Sequence, residues 1–272
     1  KNIGNIMKLG IVGLGVVGSA CKFGFELIGH TVSYHDTKDG TSITDVKNTD
    51  ICFICVPTPS NPETGQCDTS IVESVVNELS GIRYTGIVCI KSTVEPGTTE
   101  SLSKKYTHLR MAMVPEFLRE RCAITDFTEN HDLLVIGTNS HIDFKFIKEA
   151  HGDLPQEVVQ LSPNEAELVK YFNNCYNATL ITFANAFSEA CKIMGVNYSN
   201  VMNCVSKREH ISKKYLQCND SFKGFGGMCL PKDMRAVAHI CKDSNVSFFS
   251  DILDQNNKFK ITVLEGMRAE NE

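Results

Sequence analysis

The 272-residue sequence has no excess of positive charge: 27 Lys and Arg stand against 32 Asp and Glu, a formal charge of −5. That argues against a broad basic face of the kind that neutralises nucleic-acid phosphates, so nucleic acid is not an expected partner. No apolar run approaches the roughly 20 residues of a membrane span, and residues 1–7 lack the charged-then-apolar pattern of a secretion signal. No membrane partner is expected, and the expectation is a cytoplasmic protein. The 8 His are dispersed without HxxxH or His/Asp spacing, so no metal is expected. Nor do the 12 Cys show the paired spacing of a disulfide framework; they read as reduced thiols packed as small apolar residues. Cys52 and Cys55 form a CxxC, but inside the apolar run 51–56, where core packing is the better reading.

What is present begins with an apolar strand from Leu9 that runs into Gly13-Leu-Gly-Val-Val-Gly18 and then a helix. Gly13 permits the tight turn, Gly15 lets the backbone approach a pyrophosphate, and Gly18 allows close helix-to-strand packing. Val16 and Val17 open the helix, whose N-terminus offers N–H groups to phosphate. A second strand, 31–35, ends at Asp36, eighteen residues beyond Gly18. A carboxylate there suits a ribose diol and repels a 2′-phosphate, so the cofactor expected is NAD. The strand 51–56 then leads into the rigid loop from Pro57 to Pro62, where α/β sheets place ligands; Val56, Pro57 and Thr58 join the cofactor set.

The alternation continues with a helix over 69–79, a strand over 86–91, a helix over 98–105, strands over 110–114 and 133–137, and a helix over 142–150. Such a βα series gives a mostly parallel, doubly wound sheet. Beyond residue 160 helical periodicity takes over, at 163–194, 199–206, 232–241 and from 249 onward, and Ser162-Pro163-Asn164-Glu165 has the form of a helix start. The stretch 220–233 reads as an ordered loop before a helix. The fold class is therefore α/β, a Rossmann-type doubly wound sheet in residues 1–160 followed by an all-helical domain in 161–272. Lys170 and Asn174, spaced i, i+4 on the long helix, share a face and can converge on one oxygen. Cys229 lies between a glycine turn and a helix start with Lys232 three residues on, features that favour a thiolate.

Taken with the three glycines, the segments Val56-Pro-Thr-Pro59, Lys91-Ser-Thr-Val94, Pro115-Glu-Phe-Leu-Arg-Glu120, Glu165-Ala-Glu-Leu-Val-Lys170 with Asn174, and Gly224-Phe-Gly-Gly-Met-Cys-Leu-Pro-Lys-Asp233 resemble the UDP-glucose/GDP-mannose dehydrogenase family in order and spacing. The resemblance runs from about Met7 onward. It implies two successive NAD-linked oxidations of a nucleotide sugar at C6, with UDP-glucose to UDP-glucuronate the activity expected. Cys229 would capture the aldehyde as a thiohemiacetal that becomes a thioester, and Lys170 and Asn174 would stabilise charge on the C6 oxygen. Glu116 would be the base for thioester hydrolysis, with Asp233 and Thr93 ordering water, although which acid dominates stays open. Glu120, Lys232 and Thr93 would reach the cofactor. Phe117, Leu118, Tyr215, Phe222 and Gly226 would line the sugar-nucleotide site, together with Glu116, Lys170, Asn174 and Cys229.

The family pattern also carries a third, C-terminal nucleotide-binding domain that this sequence does not reach, and a longer segment than 36–51 between the second and third strands. The position of a family arginine that crosses to a second subunit falls at His210, with Arg208 nearby as a substitute, and Arg121 stands where the family has glycine. A homodimer through the helical domain is expected, because an amphipathic long helix otherwise exposes apolar surface. The rival readings are the same chemistry on GDP-mannose or a UDP-N-acetylhexosamine, a catalytically idle NAD-binding partner protein, and a two-electron hydroxyacid dehydrogenase, which has no use for Cys229.

Overall fold

Period-two alternation builds the sheet. In β3 (Ile51–Ile54) and β4 (Ile87–Ile90) every residue is buried. Ile51, Phe53, Ile87 and Cys89 enter one hydrophobic cluster, and Cys52, Ile54, Val88 and Ile90 the other. Strands apolar on both faces demand helices on both. The computed structural model, which describes residues 5–61, 63–219 and 222–259, supplies them. The order is β1 (Lys8–Val12), α1 (Val16–Leu27), β2 (Thr31–His35), β3, α2 (Ser70–Gly81), β4, α3 (Thr98–Lys105), β5 (Arg110–Met113), α4 (Ala123–Thr128), β6 (Leu133–Gly137), α5 (His141–His151) and β7 (Glu157–Leu161). Then follow α6 (Pro163–Ile193), α7 (Tyr198–Val205), α8 (Cys229–Ile240) and α9 (Phe248–Lys258).

The seven strands run β2-β1-β3-β4-β5-β6-β7, parallel except where β5 meets β6 at Met113 and Gly137. Val12 pairs with His35 and Ile54, Ile54 with Ile90, and Ile90 with Met113, so five parallel strands end in one row. The sheet is the doubly wound one expected. One cluster packs Phe25, Phe127 and Ile147 from α1, α4 and α5; the other packs Val72, Val76 and Leu102 from α2 and α3. Each such side chain stabilises by about 1.5–3 kcal/mol. Cys52 lies in one cluster, its thiol pushed up to about 12 by burial, while Cys55 packs against the other. Between β2 and β3 the chain makes only a 3-10 turn at Ile43–Val46, which leaves β2 at the sheet edge.

The chain packs as two compact units. The first runs to Pro59 and from Cys67 to Lys170; the second comprises Ser60–Gln66 and the described residues from Tyr171. α6 opens as its sequence suggested, with Pro163 in the first turn and Ser162 and Glu165 in a capping box, Ser162 N donating to Glu165 Oε2 at 2.8 Å and Glu165 N to Ser162 Oγ at 3.4 Å. Glu167, 1% exposed, instead accepts from the N–H groups of Gly97 and Thr99 at 2.6 and 2.8 Å, capping α3. In the second unit Cys175, Ala178 and Ile181 of α6 pack with Phe225, Met234 of α8 and Phe249, Ile252 and Leu253 of α9.

Three elements depart from the sequence reading. β7 was not expected, since Glu157-Val-Val-Gln-Leu161 is only half-buried at the sheet's other edge. The short α4 was not expected either; it exists by packing on α1, where a Cβ on Gly24 would stand within 2.3 Å of Phe127. α8 begins at Cys229 rather than near Lys232, because Pro231 is tolerated in a first helical turn, where its missing N–H costs nothing. The expectations at Pro62, at Asp220 and at the end of the last helix beyond residue 259 lie outside the described residues.

The glycine-rich segment before α8 is held by two buried amides. Asn185 Oδ1 accepts from Gly224 N at 3.1 Å, and the Asn256 side chain accepts from Phe225 N and donates to Phe225 O, both at 2.9 Å. Asn256→Ala leaves a buried N–H and C=O unpaired, so urea unfolding is expected to show a loss of about 2–4 kcal/mol, against less than about 0.5 kcal/mol for Asn257→Ala on the exposed face.

Candidate active site

In the first unit the sequence-selected residues follow the row of strand ends. Gly13 succeeds β1 with φ 91°, and a Cβ there would stand 2.8 Å from the carbonyl oxygen of Cys55. At Gly18 a Cβ would come within 1.9 Å of the Gly13 oxygen, whereas at Gly15 it would meet nothing within 4 Å. Two glycines are thus needed for packing, and the third opens onto free space at the N-terminus of α1, which no side chain caps. Uncapped N–H groups, the helix dipole and room for the backbone to be approached are what a pyrophosphate requires. Val16 is exposed and Val17 half-buried.

Asp36 succeeds β2. Its Oδ2 accepts from Leu14 N at 2.7 Å and its Oδ1 from Lys38 N at 2.9 Å, bonds that hold the carboxyl below its ordinary value, the Lys38 bond most strongly. It stays ionised beside the glycine turn with lone pairs left for a diol. Val56, Pro57 and Thr58 succeed β3, with the Val56 carbonyl fixed by Ser92 Oγ at 2.7 Å. Thr93, half-buried, succeeds β4. Beyond β5 come Glu116, buried, Phe117 and Leu118, half-buried, and Glu120, exposed. These residues fit a dinucleotide bound along the ends of a doubly wound sheet.

Glu116 is the site's buried acid. Burial pushes its carboxyl up, but Lys91, whose Nζ lies 2.9 Å from Oε2, reverses the shift, and the carboxyl sits below its ordinary value. Lys170 Nζ stands 5.8 Å from the centroid of the Phe117 ring, a cation–π contact at the end of the unit's share of α6.

In the second unit Asn174 Nδ2 donates to Asp233 Oδ2 at 2.6 Å, and Asp233 Oδ1 is 2.7 Å from Lys232 Nζ. Asn174 and Asp233 are 5% and 1% exposed, so this is a buried polar pair fixed between α6 and α8. Cys229 is the first residue of α8 and exposed, at a helix end that favours negative charge. Gly226 is half-buried; Tyr215, at φ 63°, and Phe222, 5% exposed, pack into the unit. Arg208 and His210 are exposed in the turn after α7. Sequence reasoning assigned no role to Lys91, Asn185 or Asn256. A Lys directly after four buried apolar residues was the available signal for Lys91, and nothing local distinguishes the two asparagines.

Residues 37–154 match the NAD binding domain, and residues 164–258 the central domain, of the UDP-glucose/GDP-mannose dehydrogenase family. The chain belongs to this family. It is 31% identical over 231 residues to UDP-glucose 6-dehydrogenase TuaD of Bacillus subtilis, covering 81% of this chain and 49% of the relative. It is 29% identical to GDP-mannose 6-dehydrogenase of Pseudomonas aeruginosa, covering 86% and 64%. Among solved structures, a UDP-glucose dehydrogenase from the archaeon Pyrobaculum islandicum superposes with a TM-score of 0.85 at 28% identity, covering 94% of this chain and 69% of that one. The chain therefore spans about half the length of TuaD. The cofactor of this family's N-terminal domain is NAD, the cofactor expected from the sequence.

The two kinds of glycine are separable by experiment. Gly18→Ala is expected to cost about 1–3 kcal/mol or more in thermal unfolding. Gly15→Ala should change stability by less than about 1 kcal/mol and yet weaken NAD binding, measured by calorimetry, about tenfold or more, ~1.4 kcal/mol.

Proposed function

We propose that this chain carries the chemistry of an NAD-dependent nucleotide-sugar 6-dehydrogenase that oxidises UDP-glucose to UDP-glucuronate. The observation that carries the reading is Cys229, exposed at the head of α8 behind a glycine segment tied by Asn185 and Asn256, in the unit that also fixes Asn174 on Asp233. When bound at the glycine turn and Asp36, NAD supplies the hydride acceptor for both oxidations. Glu120, Thr93 and Lys232 are its further contacts.

Cys229 Sγ adds to the C6 aldehyde carbon as its S–H proton passes to the carbonyl oxygen, giving a thiohemiacetal; a second oxidation leaves C6 as a thioester. A thiol suits both steps, since it adds readily to a carbonyl and later leaves. Lys170 and Asn174, one turn apart on α6, donate to the C6 oxygen as charge grows there. Glu116 accepts a proton from water, the water oxygen attacks C6, and the C–S bond breaks to return the thiol. Asp233 and Thr93 order that water. Phe117, Leu118, Tyr215, Phe222 and Gly226 contact the sugar nucleotide.

With UDP-glucose and saturating NAD, about two NADH per sugar consumed are expected, and none beyond the first oxidation in Cys229→Ser. A ratio near one in the parent protein would sink the thioester cycle. GDP-mannose belongs in the same assay, because the 29% identity to a GDP-mannose 6-dehydrogenase is close to that of TuaD. Lys170→Met is expected to lower kcat by about 10²–10³ with KM little changed.

A homodimer accompanies this reading. Phe172, Tyr176, Phe183 and Phe187 are 76%, 55%, 58% and 43% exposed, and their spacing sets them along α6 as one stacked pair, Phe172 with Tyr176, and one tilted pair, Phe183 with Phe187. A stripe of this kind calls for a second copy to cover it. Sedimentation is expected to show a dimer that Phe172→Glu with Phe183→Glu converts to monomer.

A further inference from the structure

Lys91 is a buried cation for which the chemistry above has no assigned use. It follows β4 directly, its side chain is 1% exposed, and its Nζ lies 5.9 and 6.0 Å from the centroids of the Phe53 and Phe127 rings. Its ion-pair partner is Glu116 Oε2, at 2.9 Å and sealed from solvent. The other carboxylate oxygen, Oε1, accepts from Phe117 N at 2.9 Å and keeps a lone pair. Four groups that face this pair are neutral at pH 7. Burial holds the thiols of Cys21 on α1 and Cys89 on β4 far up, and holds His131 before β6 and His151 on α5 below the ordinary imidazole value. Cys55, beyond β3, lies close to Cys21. The exposed Asp132 and the Arg110–Asp143 ion pair are the charged groups farther out.

We propose that Lys91 is a positioning residue for Glu116: from beneath the strand ends it pins Oε2, leaves Oε1 to meet water, and keeps the group a carboxylate able to accept a proton. The proposal rests on the role of Glu116 in the reading above. A buried carboxylate without a counter-charge is costly and takes up a proton instead. A protonated Glu116 offers water a donor where hydrolysis needs an acceptor. Lys91 thus decides the protonation state of Glu116 while touching neither sugar nor cofactor.

The test compares parent protein, Lys91→Met, Glu116→Gln and the double variant by infrared spectroscopy across pH 5–8. The carbonyl band of a buried, protonated carboxylic acid is expected in Lys91→Met, and it should be missing from the parent and from both variants that lack Glu116. In single-turnover thioester hydrolysis the acid limb of the rate profile is expected to move up by about 1–3 pH units in Lys91→Met, with NAD affinity unchanged. A Lys91→Met protein that binds NAD but shows neither the band nor the shift would overturn the proposal. If Lys91→Met does not fold, the parent still decides: a Glu116 band at pH 6, assigned by its loss in Glu116→Gln, overturns it as well. Failure of the parent to oxidise any nucleotide sugar would remove the dehydrogenase reading and leave the infrared result standing by itself.

Discussion

Five parallel strands that end in one row impose the constraint on which the first unit's chemistry depends. His35, Val12, Ile54, Ile90 and Met113 align across the sheet, so whatever follows each strand emerges at the same edge. Gly13, Asp36, Val56, Thr93 and Glu116 are far apart in sequence and share only this property. Parallel pairing forces the chain back through a helix after each strand, which leaves one edge lined with strand-to-helix loops and the other with the returns. The contact of Gly18 with the Gly13 carbonyl then sets how closely α1 can lie on that edge.

Much of this was legible in the sequence because it is local. The glycine turn, the four-residue apolar runs of β3 and β4, and the Ser162–Glu165 box each declare themselves within a few residues. Thr98–Lys105 and Leu133–Gly137 fall where their patterns place them. β7 and α4 escaped because their residues gain most of their reason to be ordered from neighbours distant in sequence. Cys229 stood out as a candidate thiolate by the pattern around it, but its place as the first helical residue depended on how Pro231 is read.

The polar partners were the least legible. Lys91 and Glu116 stand on different strand ends, and no periodicity connects them. Asn256 lies in the last described helix and satisfies a backbone thirty-one residues earlier. Such pairs come from the requirement that buried polar groups find partners, which acts in three dimensions and leaves little trace along the chain. Glu167 shows the same requirement from the other side. It resembles a first-turn carboxylate of α6 in sequence, yet it serves the N-terminus of α3.

The bond pair between Asn256 and Phe225 also joins two segments into one cooperative element. α9 carries the amide that closes both backbone groups of Phe225, four residues before Cys229. The Phe225 N–H reaches solvent exchange only when its bond to Asn256 opens. Order in the segment leading to Cys229 is therefore tied to the integrity of α9, so a binding event that steadies or frays that helix also acts on the segment before that residue.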